Sequence, residues 1–189
     1  CETFEMEADT MSIAKALSSA YLPISAVMLP EYLYEPMIES SRRHGAFGHG
    51  FTYSGHPVCA AVALRNIELL EERRAMEHAE AMAPYFQRRL RAFGDHPLVG
   101  EARGIGLIGG CELVRDKSSG EAFDPNQKVG LHCMDRCQDH GLLVRAIGDT
   151  VAFCPPLIIS ETQIDEIFDR FEKALEDTLQ WVEKEAKKG

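Results

Sequence analysis

Asp9-Thr-Met-Ser-Ile-Ala-Lys15-Ala-Leu-Ser-Ser-Ala-Tyr-Leu-Pro23-Ile-Ser-Ala-Val-Met-Leu29 sets a single lysine between two short apolar runs, Met11 to Ala14 and Ile24 to Leu29. Each run reads as a buried strand of a parallel or mixed sheet, and the residues between them are too few for a stable helix. A lysine at the end of a buried strand is expected to be partly desolvated. Desolvation penalises the ammonium form and frees a nucleophilic amine, which is what Schiff-base chemistry needs. The plain alternative is a lysine that reaches out to solvent from the strand end.

Working outward, Pro30 opens a helix over Glu31 to His44, with Leu33, Met37 and Ile38 inward and Glu35, Glu39, Arg42 and Arg43 outward. Gly45-Ala-Phe-Gly-His-Gly-Phe-Thr-Tyr-Ser-Gly-His-Pro57 follows, so rich in permissive positions that it marks a loop whose backbone approaches something closely. Pro57 starts a second helix that runs to about Glu72. A third carries Met76, Ala79, Ala83, Phe86, Leu90 and Phe93 along one face, with Pro84 as a kink or break. The boundary between two domains, 1–75 and 76–189, falls in this linking helical stretch at about 72–96.

The pattern then changes to a small α+β unit. Strands are expected over Leu98 to Arg103 and Ile105 to Val114, with a turn at Asp116-Lys-Ser-Ser-Gly120. Gln127 to His140 reads as a helix stopped by Gly141. Leu142 to Ile147 and Thr150 to Cys154 read as a strand pair joined at Gly148-Asp149. Ser160-Glu-Thr-Gln163 is a capping box for a final helix whose inner stripe is Ile164, Phe168, Phe171, Leu175, Leu179 and Val182. The tail from Lys184 to Gly189 is expected to fray.

The totals exclude several classes. A net charge of −10 over 189 residues leaves no basic stripe for nucleic acid. No apolar run reaches membrane-spanning length, and no signal-peptide pattern opens the chain. The six cysteines lie scattered, several within apolar runs, which fits reduced buried thiols and a cytoplasmic location. The chain opens at Cys1 within what reads as folded sequence, so an upstream portion is expected.

Gly104-Ile-Gly-Leu-Ile-Gly109 matches the dinucleotide fingerprint by letter, but it runs on as strand instead of opening a helix, and reads as close packing in a sheet. Cys133, Cys137 and His140 lie near one helix face without a fourth partner at metal-site spacing, and core packing is the better reading. Neither a G-x-S-x-G elbow nor an H-E-x-x-H helix occurs. His49-Gly-Phe-Thr52 offers backbone N–H groups and a hydroxyl ahead of a helix, the makings of a phosphate site. Arg145, before the Gly148-Asp149 turn, is a candidate for bidentate pairing with a carboxylate.

These motifs in this order resemble the class III (omega-amino acid:pyruvate type) aminotransferases. Asp9 to Val27 is similar to the family's Schiff-base lysine segment, and Phe47 to Pro57 to its second signature loop. Gly141-Leu-Leu-Val-Arg145, Gly148-Asp149 and Cys154-Pro-Pro-Leu157 look like its late strand pair. The resemblance covers essentially the whole chain. It implies an α/β fold-type-I architecture, with the C-terminal part of a large pyridoxal-phosphate-binding domain followed by a small α+β C-terminal domain.

It further implies pyridoxal 5′-phosphate as cofactor, with Lys15 forming the internal aldimine and shuttling the proton. Thr52, with Phe51 beside it, would reach the cofactor phosphate of a second copy in a homodimer. Arg145 would bind the carboxylate of the substrate, the reaction passing an amino group from an amine or omega-amino acid to a keto acid such as pyruvate. The family's phosphate loop, ring-stacking aromatic and pyridine-nitrogen aspartate are not in this chain. The resemblance therefore implies an enzyme incomplete without its N-terminal half. A class III aminomutase, a decarboxylating transaminase, and an inert structural or dimerisation module remain alternatives.

Overall fold

The computed structural model describes residues 2–186; Cys1 and 187–189 of the expected frayed tail lie outside the described residues. The chain divides into two compact units, Cys1–Arg73 and Arg74–Gly189.

The second unit is built on a strong helical period. In α5 (Glu161–Ala186), Ile164, Phe168, Phe171 and Leu175 recur at three and four residues and are all fully buried. Its start is the expected capping box: the Gln163 N–H donates to Ser160 Oγ at 3.3 Å, and the Ser160 N–H to Gln163 Oε1 at 3.0 Å. The helix runs unbroken through Lys184 to Ala186, where fraying was expected, with Leu179 and Val182 packed at the core margin.

α5 packs against α3 (Ala75–Ala92) and α4 (Val129–Asp139). Those helices lie on an antiparallel sheet of β3 (Val99–Ile105), β4 (Ile108–Leu113), β6 (Thr150–Phe153) and β5 (Arg145–Ile147), in that spatial order. Phe86, Phe93, Phe153, Phe168 and Phe171 meet at the centre, with ring centroids 4.9–5.7 Å apart. α3 and α5 are also tied at the surface. Arg89 bridges Asp165 and Asp169 at 2.7 Å each, and the Tyr85 hydroxyl donates to Asp165 at 2.6 Å.

Several details depart from the sequence pattern. α3 passes through Pro84 without a break, and Met76 is 63% exposed instead of lining the inner face. α4 starts at Val129, because Lys128 takes a left-handed conformation that separates it from the 3-10 turn Pro125–Gln127. The glycine-rich run becomes a hairpin whose turn is Gly106-Leu107. Gly104 faces Gly109 across it, and a Cβ on Gly109 would come within 2.3 Å of Leu90 Cδ2 of α3. Close backbone approach, as read from the sequence, accounts for these glycines.

The first unit is thinner. β1 (Met11–Ile13) and β2 (Ala26–Met28) form an antiparallel two-stranded ladder with Met11 opposite Met28 and Ile13 opposite Ala26. This corrects the expectation of buried strands in a parallel or mixed sheet, since both strands lie at the surface of this chain, Val27 being 62% exposed. α1 (Glu31–His44) has the expected bounds but no buried residue; Leu33 is exposed, and Met37, Ile38 and Ser41 are half-buried. The Tyr32 hydroxyl donates to Asp9, tying α1 to the approach to β1. α2 (Pro57–Glu72) has Pro57 in its first turn, where a missing N–H costs nothing.

Candidate active site

Lys15 stands just beyond β1 and opens a 3-10 turn, Lys15–Leu17, in a left-handed conformation with φ +53°. Its carbonyl accepts from the N–H groups of Ser18 at 3.2 Å and Ala20 at 3.3 Å. Ser19 and Ala20 are left-handed as well, at +48° and +63°. Three non-glycine residues in that region within six positions is a concentration of strain of the kind found at functional sites. Lys15 is exposed in this chain, so the expected desolvation is not present: the flanking strands that were to bury it are themselves at the surface. Its ammonium makes no hydrogen bond or ion pair among the described residues.

The turn is gripped from α2. Asn66 Nδ2 donates to the carbonyls of Ala16 at 2.9 Å and Leu17 at 3.2 Å, while Asn66 Oδ1 accepts from Ser19 Oγ at 2.7 Å. Ser18, 2% exposed, donates its hydroxyl to the Leu22 carbonyl at 2.6 Å. Sequence reasoning missed Asn66. The available signal was an asparagine, which tends to bond nearby backbone in place of supporting a helix, in mid-helix one turn after the buried Ala63.

The glycine-rich loop is exposed throughout. Phe51, 80% exposed, donates its backbone N–H to Ser54 Oγ at 3.1 Å and sets its ring edge-on to His49. The Thr52 hydroxyl has no partner among the described residues. It sits in the turn closed by Ser54, five positions ahead of α2, and not directly at the helix N-terminus. Phe51, Tyr53, Ser54, His56 and Cys59 line a concavity of about 610 Å³ together with Pro23, Ile24 and Ser25. Phe51 is thereby brought beside the connection that leaves the Lys15 turn, whereas Lys15 and Thr52 do not line that concavity.

Arg145 belongs to the second unit. It opens β5 opposite Ala152 and is exposed, its guanidinium unpaired among the described residues. Its hairpin is braced at the turn, where Asp149 accepts from the Gly130 N–H of α4 at 2.8 Å. Cys133 and Cys137 are fully buried, whereas His140 turns to Asp177 at 2.7 Å. Among the described residues no group of three or more His, Cys, Asp or Glu is placed to hold a metal ion. Burial pushes the Cys111 thiol up to about 12, which makes it a packing residue and not a nucleophile.

Within the first unit, the exposed primary amine of Lys15 on its strained turn and the unpaired Thr52 hydroxyl on the glycine-rich loop are groups of the kind that react with an aldehyde and bind an anion; within the second, the unpaired Arg145 guanidinium is of the kind that pairs with a carboxylate. Residues 1–175 match the family described as Aminotransferase class-III, and the chain belongs to that family of pyridoxal-phosphate-dependent enzymes. Among its relatives, gamma aminobutyrate transaminase 3, chloroplastic, of Solanum lycopersicum is 43% identical over 97% of this chain and 35% of its own length. Putrescine–pyruvate aminotransferase of Pseudomonas aeruginosa is 46% identical over 90% of this chain and 36% of its own length.

A solved transaminase with L-alanine superposes with a TM-score of 0.92 at 46% identity, over 96% of this chain and 43% of that one. The PMP-bound aminotransferase of Vibrio fluvialis does so with a TM-score of 0.92 at 37% identity, over 95% of this chain and 40% of its own. The fold is thus part of a fold-type-I transaminase, and the chain spans about a third of the length of the curated relatives it matches. No helix among the described residues is long and apolar enough to cross a membrane.

Proposed function

We propose that this chain is the part of a class III transaminase that carries the reactive lysine, and that the whole enzyme moves an amino group from a terminal amine or omega-amino acid to a keto acid such as pyruvate. Residues 1–73 would then complete a large cofactor-binding domain and residues 74–189 form the small domain. Pyridoxal 5′-phosphate, when bound, supplies the electron sink for the charge left at the donor Cα. Lys15 Nζ would hold the cofactor, its primary amine being the group able to condense with an aldehyde. As a free amine, Lys15 Nζ would act as the general base that takes up the proton of the donor Cα.

Thr52 donates its hydroxyl to the phosphate of a second copy's cofactor, with Phe51 walling that site. Arg145 pairs with the carboxylate of the acceptor and turns aside for donors that lack one. The donor class is supported by the relatives' names, since gamma-aminobutyrate and putrescine both present a terminal primary amine.

One observation carries this reading: the unpaired amine of Lys15 on its left-handed turn, in a segment that the family match covers. Borohydride reduction of the complete enzyme followed by peptide mapping should find the pyridoxyl group on Lys15. The Lys15→Ala variant should lose transamination by at least about a thousandfold, because its general base and covalent anchor are both gone. A pyridoxyl group mapped to another lysine, or no alanine formed from pyruvate with any terminal amine, would refute it.

A further inference from the structure

We propose that Asn66 is a positioning residue for Lys15, fixing the turn that aims the lysine amine; this rests on the reading of Lys15 given above. The Lys15 ammonium makes no hydrogen bond or ion pair among the described residues that would orient it, which leaves its backbone to set the side chain's direction. That backbone is left-handed at Lys15, Ser19 and Ala20, and an L residue adopts such a conformation only where its surroundings enforce it.

The backbone hydrogen bonds within the turn leave the Leu17 carbonyl without a backbone partner among the described residues. The Lys15 carbonyl holds Ser18 and Ala20, but the Leu17 carbonyl has Asn66 as its partner from outside the turn, at 3.2 Å. The same Nδ2 reaches the Ala16 carbonyl, and Oδ1 takes the Ser19 hydroxyl. One planar amide thereby fixes three of the four residues that follow Lys15.

The orientation of that amide is determined by its neighbours. Two carbonyls on one side require the NH₂ group there, and the hydroxyl on the other finds the oxygen. Asn66 is half-buried on the same face of α2 as Ala63, 5% exposed, so the helix brings the amide to the turn on a packed base. No other side chain from so far along the chain hydrogen-bonds the turn among the described residues. Removing the amide leaves the Leu17 carbonyl unpaired and lets Lys15 relax to the right-handed region, swinging its side chain.

The test uses the complete enzyme and an apo preparation of it. Asn66→Leu keeps the volume and removes all three bonds; Asn66→Gln keeps the amide on a longer arm. The first readout is capture of added pyridoxal 5′-phosphate by the apoprotein, its rate and pH midpoint followed by visible absorbance and borohydride fixation. The second is the split between kcat and KM for the amine donor. Asn66→Leu should slow capture and lower kcat by about 10- to 100-fold, the range expected for a misplacement near 1 Å, with KM little changed. Its capture midpoint should move, and Asn66→Gln should recover part of both effects.

A variant that only loosens the fold would lower the unfolding midpoint without moving the pH midpoint of capture. If Asn66→Leu does not fold, Ser19→Ala, which removes one of the three bonds, and Asn66→Gln decide by the same readouts. Parental capture rate, midpoint and kcat in the folded variants overturn the proposal while leaving Lys15 in place. Absence of fixed cofactor on Lys15 in the parent enzyme overturns both.

Discussion

The two units differ in what they bury. In residues 74–189, six positions of α5 alone are buried, and the core takes in residues from all three helices and from β3, β4 and β6. In residues 1–73, the described residues bury only Ala63 and Ser18, while Tyr21, Phe51 and Tyr53 are each about 80% exposed. The candidate reactive groups Lys15 and Thr52 lie in the unit with almost no core. A two-stranded ladder with no third strand or covering helix is marginal in water. The shape of this unit follows instead from local polar ties, such as Asn66 to the Lys15 turn and Tyr32 to Asp9. The large apolar side chains that this unit exposes have no cover among the described residues.

The contrast breaks or sharpens most readily at core positions. Phe168 is fully buried against Phe86, Phe93 and Phe153, so Phe168→Ala should cost about 3–5 kcal/mol. Leu33→Ala in α1, at a position 37% exposed, should cost less than about 0.5 kcal/mol in the same chain. Urea titration followed by the fluorescence of Trp181, the sole tryptophan, reads the second unit; circular dichroism reads both. Comparable losses at the two sites would mean that the first unit has a core of its own.

A smaller effect is expected where backbone meets backbone. A Cβ at Gly130 would stand 2.2 Å from the Gly148 carbonyl, beneath the hairpin that carries Arg145. Gly130→Ala should therefore destabilise the second unit by about 1–3 kcal/mol, as other insertions into packed sites do. Gly48→Ala, in the open loop of the first unit with nothing within 4 Å of its Cβ position, should leave the melting curve unchanged. An unaltered curve for Gly130→Ala would show that the hairpin shifts freely over α4.

What could be read from sequence divides along the same line. The stripe of α5, its capping box and the α1 bounds were legible because period and cap chemistry are local. The burial of the strands around Lys15 was not: apolar composition states what a segment prefers to cover, not whether its cover belongs to the same chain. Met76 fits an inner face by spacing yet lies exposed in the first turn of α3, before the packed part of that helix begins. The candidate lysine, loop and arginine were visible as motifs. Asn66 was not, because its task depends on a contact 50 positions away that no spacing encodes.

The weakest expected effect concerns pH, and it too should be confined to the second unit. His96 accepts the Leu98 N–H at Nδ1, 3.2 Å away, and its Nε2 lies 3.4 Å from Glu176. Burial, opposed by Glu176, leaves its imidazole below the ordinary 6.5; burial and then Arg136 act in the same direction on His132, which stacks on Trp181. Each folded histidine thus holds its proton less tightly than the unfolded chain does. The unfolded state binds more protons below the ordinary value, so the contribution is complete above about 6.5 and is lost as pH falls through the folded values.

The urea midpoint read by Trp181 should decline between about pH 7.5 and 5.5, and His96→Gln should flatten that decline. An equal slope in His96→Gln would assign the dependence to His132 alone. A midpoint that rises on acidification would mean that Glu176 outweighs burial at His96, and this edge of the second unit would then be held by an ion pair.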